Sequence, residues 1–152
     1  MKTELSPLTV ADVPALEKLE EATRLAYWGL ENYRKFLEDY PEYFGRKALV
    51  NTPGSPKRLA GFLLARSLFE NLEILKVGVY PDFHRRGIGT LLMEAAYAEG
   101  NNRGCGRCFL EVRKSNQGAI DFYYRHRFKI AGSRLNYYTN PVEDAWIMER
   151  TL

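Results

Sequence analysis

Two short runs of this 152-residue chain hold residue types and spacings that could do chemistry. The first is Val77-Gly78-Val79-Tyr80-Pro81-Asp82-Phe83-His84-Arg85-Arg86-Gly87-Ile88-Gly89-Thr90. A strand ends at Val79 or Tyr80, a short loop follows, and Gly87-Ile88-Gly89 opens a helix. Glycines at a helix N-terminus let backbone N–H groups approach an anion, and the helix dipole favours negative charge there. Arg85 and Arg86 add formal charge. The pattern predicts a phosphate or pyrophosphate site. It is not a dinucleotide fingerprint, because Leu92 stands where the third glycine belongs, and it is not a Walker loop, because Gly89-Thr90 lacks the lysine between them. A bare Gly-x-Gly is equally a simple turn. The second run is Leu110-Glu111-Val112-Arg113-Lys114-Ser115-Asn116 through Tyr123-Tyr124, followed by Phe128. It carries a carboxyl group at Glu111 and a phenol at Tyr123, both able to exchange protons. Plainer roles exist: Glu111 and Arg113 as a solvated i, i+2 pair on a strand, Tyr123 as a core aromatic, and Asn116 as a helix N-cap.

These residues need a scaffold. Thr9 with Asp12 forms a capping-box-like start for a first helix carrying Val13, Leu16 and Leu19. A second helix is expected over 30–40, with Leu30, Tyr33, Phe36, Leu37 and Tyr40 on one face. Tyr27-Trp28-Gly29 breaks the chain between the two helices. Extended runs follow: a short one at 48–50, then 59–67 and 72–79, read as an antiparallel meander. A helix over 90–99 buries Leu91, Leu92, Ala95 and Ala98. A strand over 107–113, a helix over 116–127 and a strand pair over 128–136 and 145–152 complete the chain. The order implies an α+β domain on one mixed, mostly antiparallel sheet flanked by helices. One domain spanning 1–152 is expected, because the only Pro/Gly/Ser cluster, residues 51–57, is too short for a linker.

Composition narrows the function classes. Lys plus Arg total 22 and Asp plus Glu total 19, for a net charge of +3. That is too small for binding driven mainly by phosphate neutralisation, so no nucleic-acid partner is expected. The charge is uneven: residues 1–50 hold 7 basic and 9 acidic side chains, and residues 85–129 hold 9 and 4. An anionic ligand is expected on the later half. Two cysteines and two histidines cannot build a four-ligand zinc site, and no metal is expected. Cys105-Gly106-Arg107-Cys108 has redox spacing but leads into a strand and not a helix N-terminus. His126, among Arg125, Arg127 and Lys129, reads as a solvated helix end. With no apolar h-region near Lys2 and Glu4 and no long apolar run, a cytoplasmic chain without a membrane partner is expected. Ten tyrosines stand out, four of them in the pairs Tyr123-Tyr124 and Tyr137-Tyr138.

The run from His84 to Gly89 resembles motif A of the GNAT acetyltransferase superfamily, whose signature is Gln/Arg-x-x-Gly-x-Gly/Ala after a strand. His84 departs from it, standing where Gln or Arg is usual. The resemblance implies a GNAT fold and acetyl-CoA as cosubstrate. It implies that Arg85, Arg86, Gly87, Ile88, Gly89 and Thr90 hold the pyrophosphate, and that Val77, Gly78 and Val79 pair with the pantetheine arm through their backbone. A glycine inside a strand suggests a bulge or a close ligand approach. The second run is similar to the RimI-type Nα-acetyltransferases, which modify protein N-termini. It departs at Phe122, for Leu, and Arg127, for Gly. That resemblance covers residues 72–152 and implies Glu111 as base, Tyr123 as acid and cofactor neighbour, Asn116 on the pantetheine arm, and Tyr137, Tyr138 and Trp28 on the acceptor side.

The implied activity is transfer of acetyl to a primary amine, most readily the α-amino group of a protein N-terminus, with a ribosomal protein as one candidate partner. Two alternatives stay open. One is a GNAT enzyme acting on small amines or lysine side chains. The other is a binding module using the basic segment, in which Phe109, Phe122 and Phe128 would be core.

Overall fold

The computed structural model describes residues 1–152 except Arg24. A seven-stranded sheet runs in the order β1-β2-β3-β4-β5-β7-β6. Its strands are β1 (Lys2–Pro7), β2 (Tyr43–Asn51), β3 (Arg58–Leu68), β4 (Asn71–Val79), β5 (Arg107–Arg113), β6 (Lys129–Tyr138) and β7 (Glu143–Thr151). Strands β2 to β4 form the expected antiparallel meander, and β1 pairs antiparallel with β2 at its outer edge. Helices α1 (Val13–Thr23) and α2 (Leu30–Asp39) follow β1, α3 (Ile88–Asn102) joins β4 to β5, and α4 (Gln117–Arg125) joins β5 to β6.

The two faces of the sheet carry separate cores. Helices α3 and α4 cover one face, with Ala60, Leu63, Ile74, Leu92, Cys108, Leu110, Val112, Ile120, Tyr123 and Met148 packed together. Helices α1 and α2 cover the other, with Leu16, Leu19 and Tyr33 against Phe62 and Leu64. Strand β3 serves both, so Ala60 to Ala65 reads as one continuous apolar run without alternation. Each such large side chain, fully buried, contributes about 1.5–3 kcal/mol.

Several sequence expectations shift. Strand β2 spans nine residues, where three were expected. Its polar Arg46 and Lys47 hide the pattern, but they reach out to Glu99 and Asp12, at 3.5 and 2.7 Å. Strand β1 was not expected at all; it is a sheet edge and needs no strong apolar signal. In α2 only Tyr33 is fully buried, and Leu30 and Tyr40 are exposed. Helix α3 starts earlier and buries Ile88, Leu92, Met93, Ala96, Tyr97 and Gly100, leaving Leu91 and Ala98 exposed. The Thr9–Asp12 box is present: one Asp12 oxygen accepts the Thr9 N–H at 2.8 Å and its hydroxyl at 3.1 Å.

One irregularity positions the site. Strands β4 and β5 are parallel but pair only from Asn71↔Arg107 to Ile74↔Leu110. At that point the β3–β4 register jumps from Ala65↔Ile74 to Leu64↔Lys76, leaving Leu75 as an extra residue. A bulge bends its strand and turns later side chains over. Beyond it, Lys76 and Gly78 face α1 and α2, and the β4 segment 75–79 pairs with β3 alone. Strands β4 and β5 therefore part between Val77–Val79 and Glu111–Arg113.

Candidate active site

The β4 end leads straight into the glycine loop. Tyr80 to Phe83 makes a tight turn, in which the Phe83 and His84 N–H groups bond back to the Tyr80 and Pro81 carbonyls. Arg85 and Gly87 then take positive φ, 59° and 76°. The first helical bond of α3 runs from Leu91 N–H to the Gly87 carbonyl. The N–H groups from Arg85 to Thr90 donate to no described residue. Consecutive N–H groups at a helix N-terminus, with left-handed residues alternating among them, are an arrangement able to receive an anion. The Arg85 and Arg86 side chains have no carboxylate partner among the described residues.

The two glycines of the motif do different things. Gly87 is in the left-handed region with open space on its side-chain side, so it serves the turn itself. A Cβ at Gly89 would lie 3.3 Å from the Phe122 ring, so Gly89 serves the contact of α3 with α4. For Gly78 the bulge reading is corrected. The bulge lies at Leu75, and a Cβ at Gly78 would meet Leu25 at 2.9 Å and Leu19 at 3.1 Å. Gly78 makes room for the end of α1. His84 donates from Nε2 to the Val79 carbonyl at 2.7 Å, tying the loop to the end of β4.

Glu111 sits on β5 where the strands part, on the face opposite Leu110 and Val112. Its Oε1 accepts from Arg134 Nε at 2.7 Å. Its Oε2 is buried without a hydrogen-bond partner among the described residues. The alternative of a solvated Glu111–Arg113 pair is not met. Arg113 instead bonds the Pro141 and Thr139 carbonyls, each at 3.1 Å, and Glu143 at 3.3 Å, pinning the β6–β7 turn. A cleft of about 300 Å³ lies beside Glu111, lined in part by Phe69, Glu73, Phe109, Arg134 and Ile147. Phe109 thus faces this cleft and is not a core residue.

Tyr137 and Tyr138 end β6 after a register shift, their rings crossed edge to face at 4.9 Å. The Glu111 carboxylate beside Tyr137, together with burial, pushes its phenol up to about 12. Burial, then Tyr137 and Glu111, pushes Tyr138 up to about 12. Tyr123 is buried beside Phe122 and Phe128, its hydroxyl makes no hydrogen bond to a described residue, and burial raises its pKa. Tyr138 is the next influence on it. Glu111 and Tyr123 do not touch. They lie on opposite sheet faces, flanking the parted strands, with Tyr138 near both. Asn116 caps α4, its Oδ1 accepting the Ala119 N–H at 3.2 Å, which leaves its amide nitrogen unused. Trp28 is half-buried against Tyr33 and Phe36.

This architecture can be matched to known proteins. The acetyltransferase (GNAT) family model fits residues 13–128, the span from α1 to the end of the α4 segment. The chain belongs to the GNAT acetyltransferase family. The ribosomal protein bS18-alanine N-acetyltransferase of Salmonella typhimurium is 32% identical over 146 residues, covering 95% of this chain and 94% of that one. The crystal structure of the corresponding Escherichia coli enzyme superposes with a TM-score of 0.83 at 28% identity, covering 99% of this chain and 94% of that one. Arabidopsis thaliana NAA60, solved with acetyl-CoA, shares the fold at a TM-score of 0.86 and 18% identity, covering 99% of each chain. The α+β GNAT fold expected from the sequence is therefore correct, and the chain is an acetyl-transferring enzyme.

Three features of this GNAT chain escaped the sequence reading. Arg134 lies 23 positions from the carboxylate it holds, beyond any local pattern. His126 is not a solvated helix end: it lies within 3.1 Å of the Thr90 hydroxyl and 3.3 Å of the Tyr97 hydroxyl, joining α4 to the first turn of α3. Burial lowers its pKa, and Arg150 adds to that. Glu20 and Lys76 form a buried pair under the α1–α2 loop. Cys105 and Cys108 are buried and free, and burial pushes the Cys108 thiol up to about 12, the reverse of a reactive thiolate. No helix among the described residues is long and apolar enough to cross a membrane.

Proposed function

We propose that this enzyme moves the acetyl group of acetyl-CoA to the α-amino group of a protein N-terminus, within one domain spanning residues 1–152. The observation that carries the reading is the parting of β4 from β5 between an amide cradle on one side and the Glu111 carboxylate on the other. The N–H groups of residues 85–90 would hold the pyrophosphate, with Arg85 and Arg86 adding charge. The open backbone edge of Val77, Gly78 and Val79 would pair with the pantetheine amides, and the spare Asn116 nitrogen would serve the same arm. The thioester carbonyl then lies in the gap.

Transfer needs the amine nitrogen to attack that carbonyl. A C–N bond forms, a C–S bond breaks, one proton leaves nitrogen and one reaches sulfur. Glu111 Oε2 would take the amine proton, with Arg134 fixing the carboxylate through Oε1. Tyr123, kept protonated by burial, would give a proton to the departing thiolate. Trp28, Tyr137 and Tyr138 would border the acceptor. The relatives named for alanine N-acetylation of a ribosomal protein support a peptide acceptor of that kind. Incubation with acetyl-CoA and peptides varied at their first two residues, read by mass shift, tests this: acetylation at the α-amine is expected. Activity on polyamines or lysine side chains, with none on peptide N-termini, would overturn the acceptor.

A further inference from the structure

One buried charged cluster has no part in the mechanism above. Glu20 near the end of α1 and Lys76 on β4 are 3% and 5% exposed, and their charged atoms lie 2.8 Å apart. Both also bond the segment between α1 and α2. Lys76 Nζ donates to the Ala26 carbonyl, and Glu20 Oε2 accepts the Trp28 N–H at 3.2 Å. The ammonium lies 5.0 Å from the Trp28 ring centre and 5.3 Å from that of Tyr33. Glu20 Oε1 and the Tyr33 hydroxyl are buried without hydrogen-bond partners among the described residues. A hydrophobic pair of similar volume would give the core as much stability with less desolvation, so stability alone does not explain the pair. Its bonds explain it better. They fix an irregular segment to the β4 residue just before Val77, where the strands part.

We infer that Glu20 and Lys76 are positioning residues that hold the Ala26–Trp28 segment against β4 and so set the binding of the acceptor amine. The Leu75 bulge is what turns Lys76 toward this segment. Neither residue touches the reacting atoms. Their effect reaches the acceptor through Trp28, which rests on the reading of Trp28 as an acceptor-side residue.

The test uses the full chain with Glu20→Gln/Lys76→Met, which removes both charges and keeps the volumes. Three quantities are compared with the wild type: hydrogen exchange of segment 25–29, acetyl-CoA affinity, and KM and kcat for an accepted peptide. Exchange is expected to quicken, and acceptor KM to rise, each by roughly tenfold, with acetyl-CoA affinity and kcat within about twofold. Lys76→Arg should recover much of the KM. A merely structural pair would instead lower the melting temperature without this KM-against-kcat split. Unchanged exchange, or quickened exchange with unchanged KM, overturns the proposal. If the wild type acetylates no peptide, the acceptor reading fails by itself, and KM is then measured with the small amine that it does acetylate.

Discussion

The two sides of this site are built by opposite means. The proposed cofactor side is mainly one continuous segment, 77–90, whose donors are backbone N–H groups and whose shape follows from a turn, two left-handed residues and a helix start. The proposed acceptor side is assembled from distant side chains: Glu111 with Arg134, Arg113 on the β6–β7 turn, and Glu20 with Lys76 under Trp28. A pyrophosphate needs only amides in a fixed curve, which a local sequence can encode. A specific amine needs a carboxylate and walls at set distances, and only the tertiary fold brings those together.

The contrast can be broken most sharply at Glu111. Glu111→Gln should lower kcat/KM by about a hundredfold or more, the usual scale for loss of a general base, with acetyl-CoA binding unchanged in calorimetry. Gly87→Val, forced into a left-handed conformation, should weaken acetyl-CoA binding by roughly tenfold and leave kcat at saturating cosubstrate almost intact. Equal loss of binding in both variants would erase the distinction. Tyr123→Phe should cost about tenfold in kcat, with little change in acetyl-CoA affinity, in steady-state assays.

The smallest expected effect concerns His126, which bridges α4 and α3. Its folded pKa lies below the ordinary value, so it contributes stability above the unfolded value of about 6.5, and that stability is lost as pH falls through the folded value. Between the two values the unfolded chain binds the extra proton. Denaturant titrations from neutral pH downward should show this loss, and His126→Leu should flatten that part of the profile.

Legibility followed the same division. The meander, the helix order and the glycine loop were readable because each depends on neighbours in sequence. Motif resemblance singled out Glu111 and Tyr123, while their residue types alone favoured a solvated pair and a core aromatic. What stayed hidden has physical reasons. The Leu75 bulge has no composition signature, yet it parts the strands and turns Lys76 inward. His126 looked like surface charge, and Arg134 drew no reading, until the α3–α4 contact and the β6–β7 pair placed their partners. The packing of Gly78 against α1 and of Gly89 against Phe122 was hidden too, because those neighbours come from other elements.

The central claim is that residues 85–90 hold the cosubstrate while Glu111 takes the acceptor's proton. The most direct test is acetyl-CoA titration calorimetry alongside peptide acetylation for the wild type and Glu111→Gln. Equal affinity is expected in both proteins, with acetylation reduced by about two orders of magnitude in the variant. Acetylation at the wild-type rate by Glu111→Gln would contradict it.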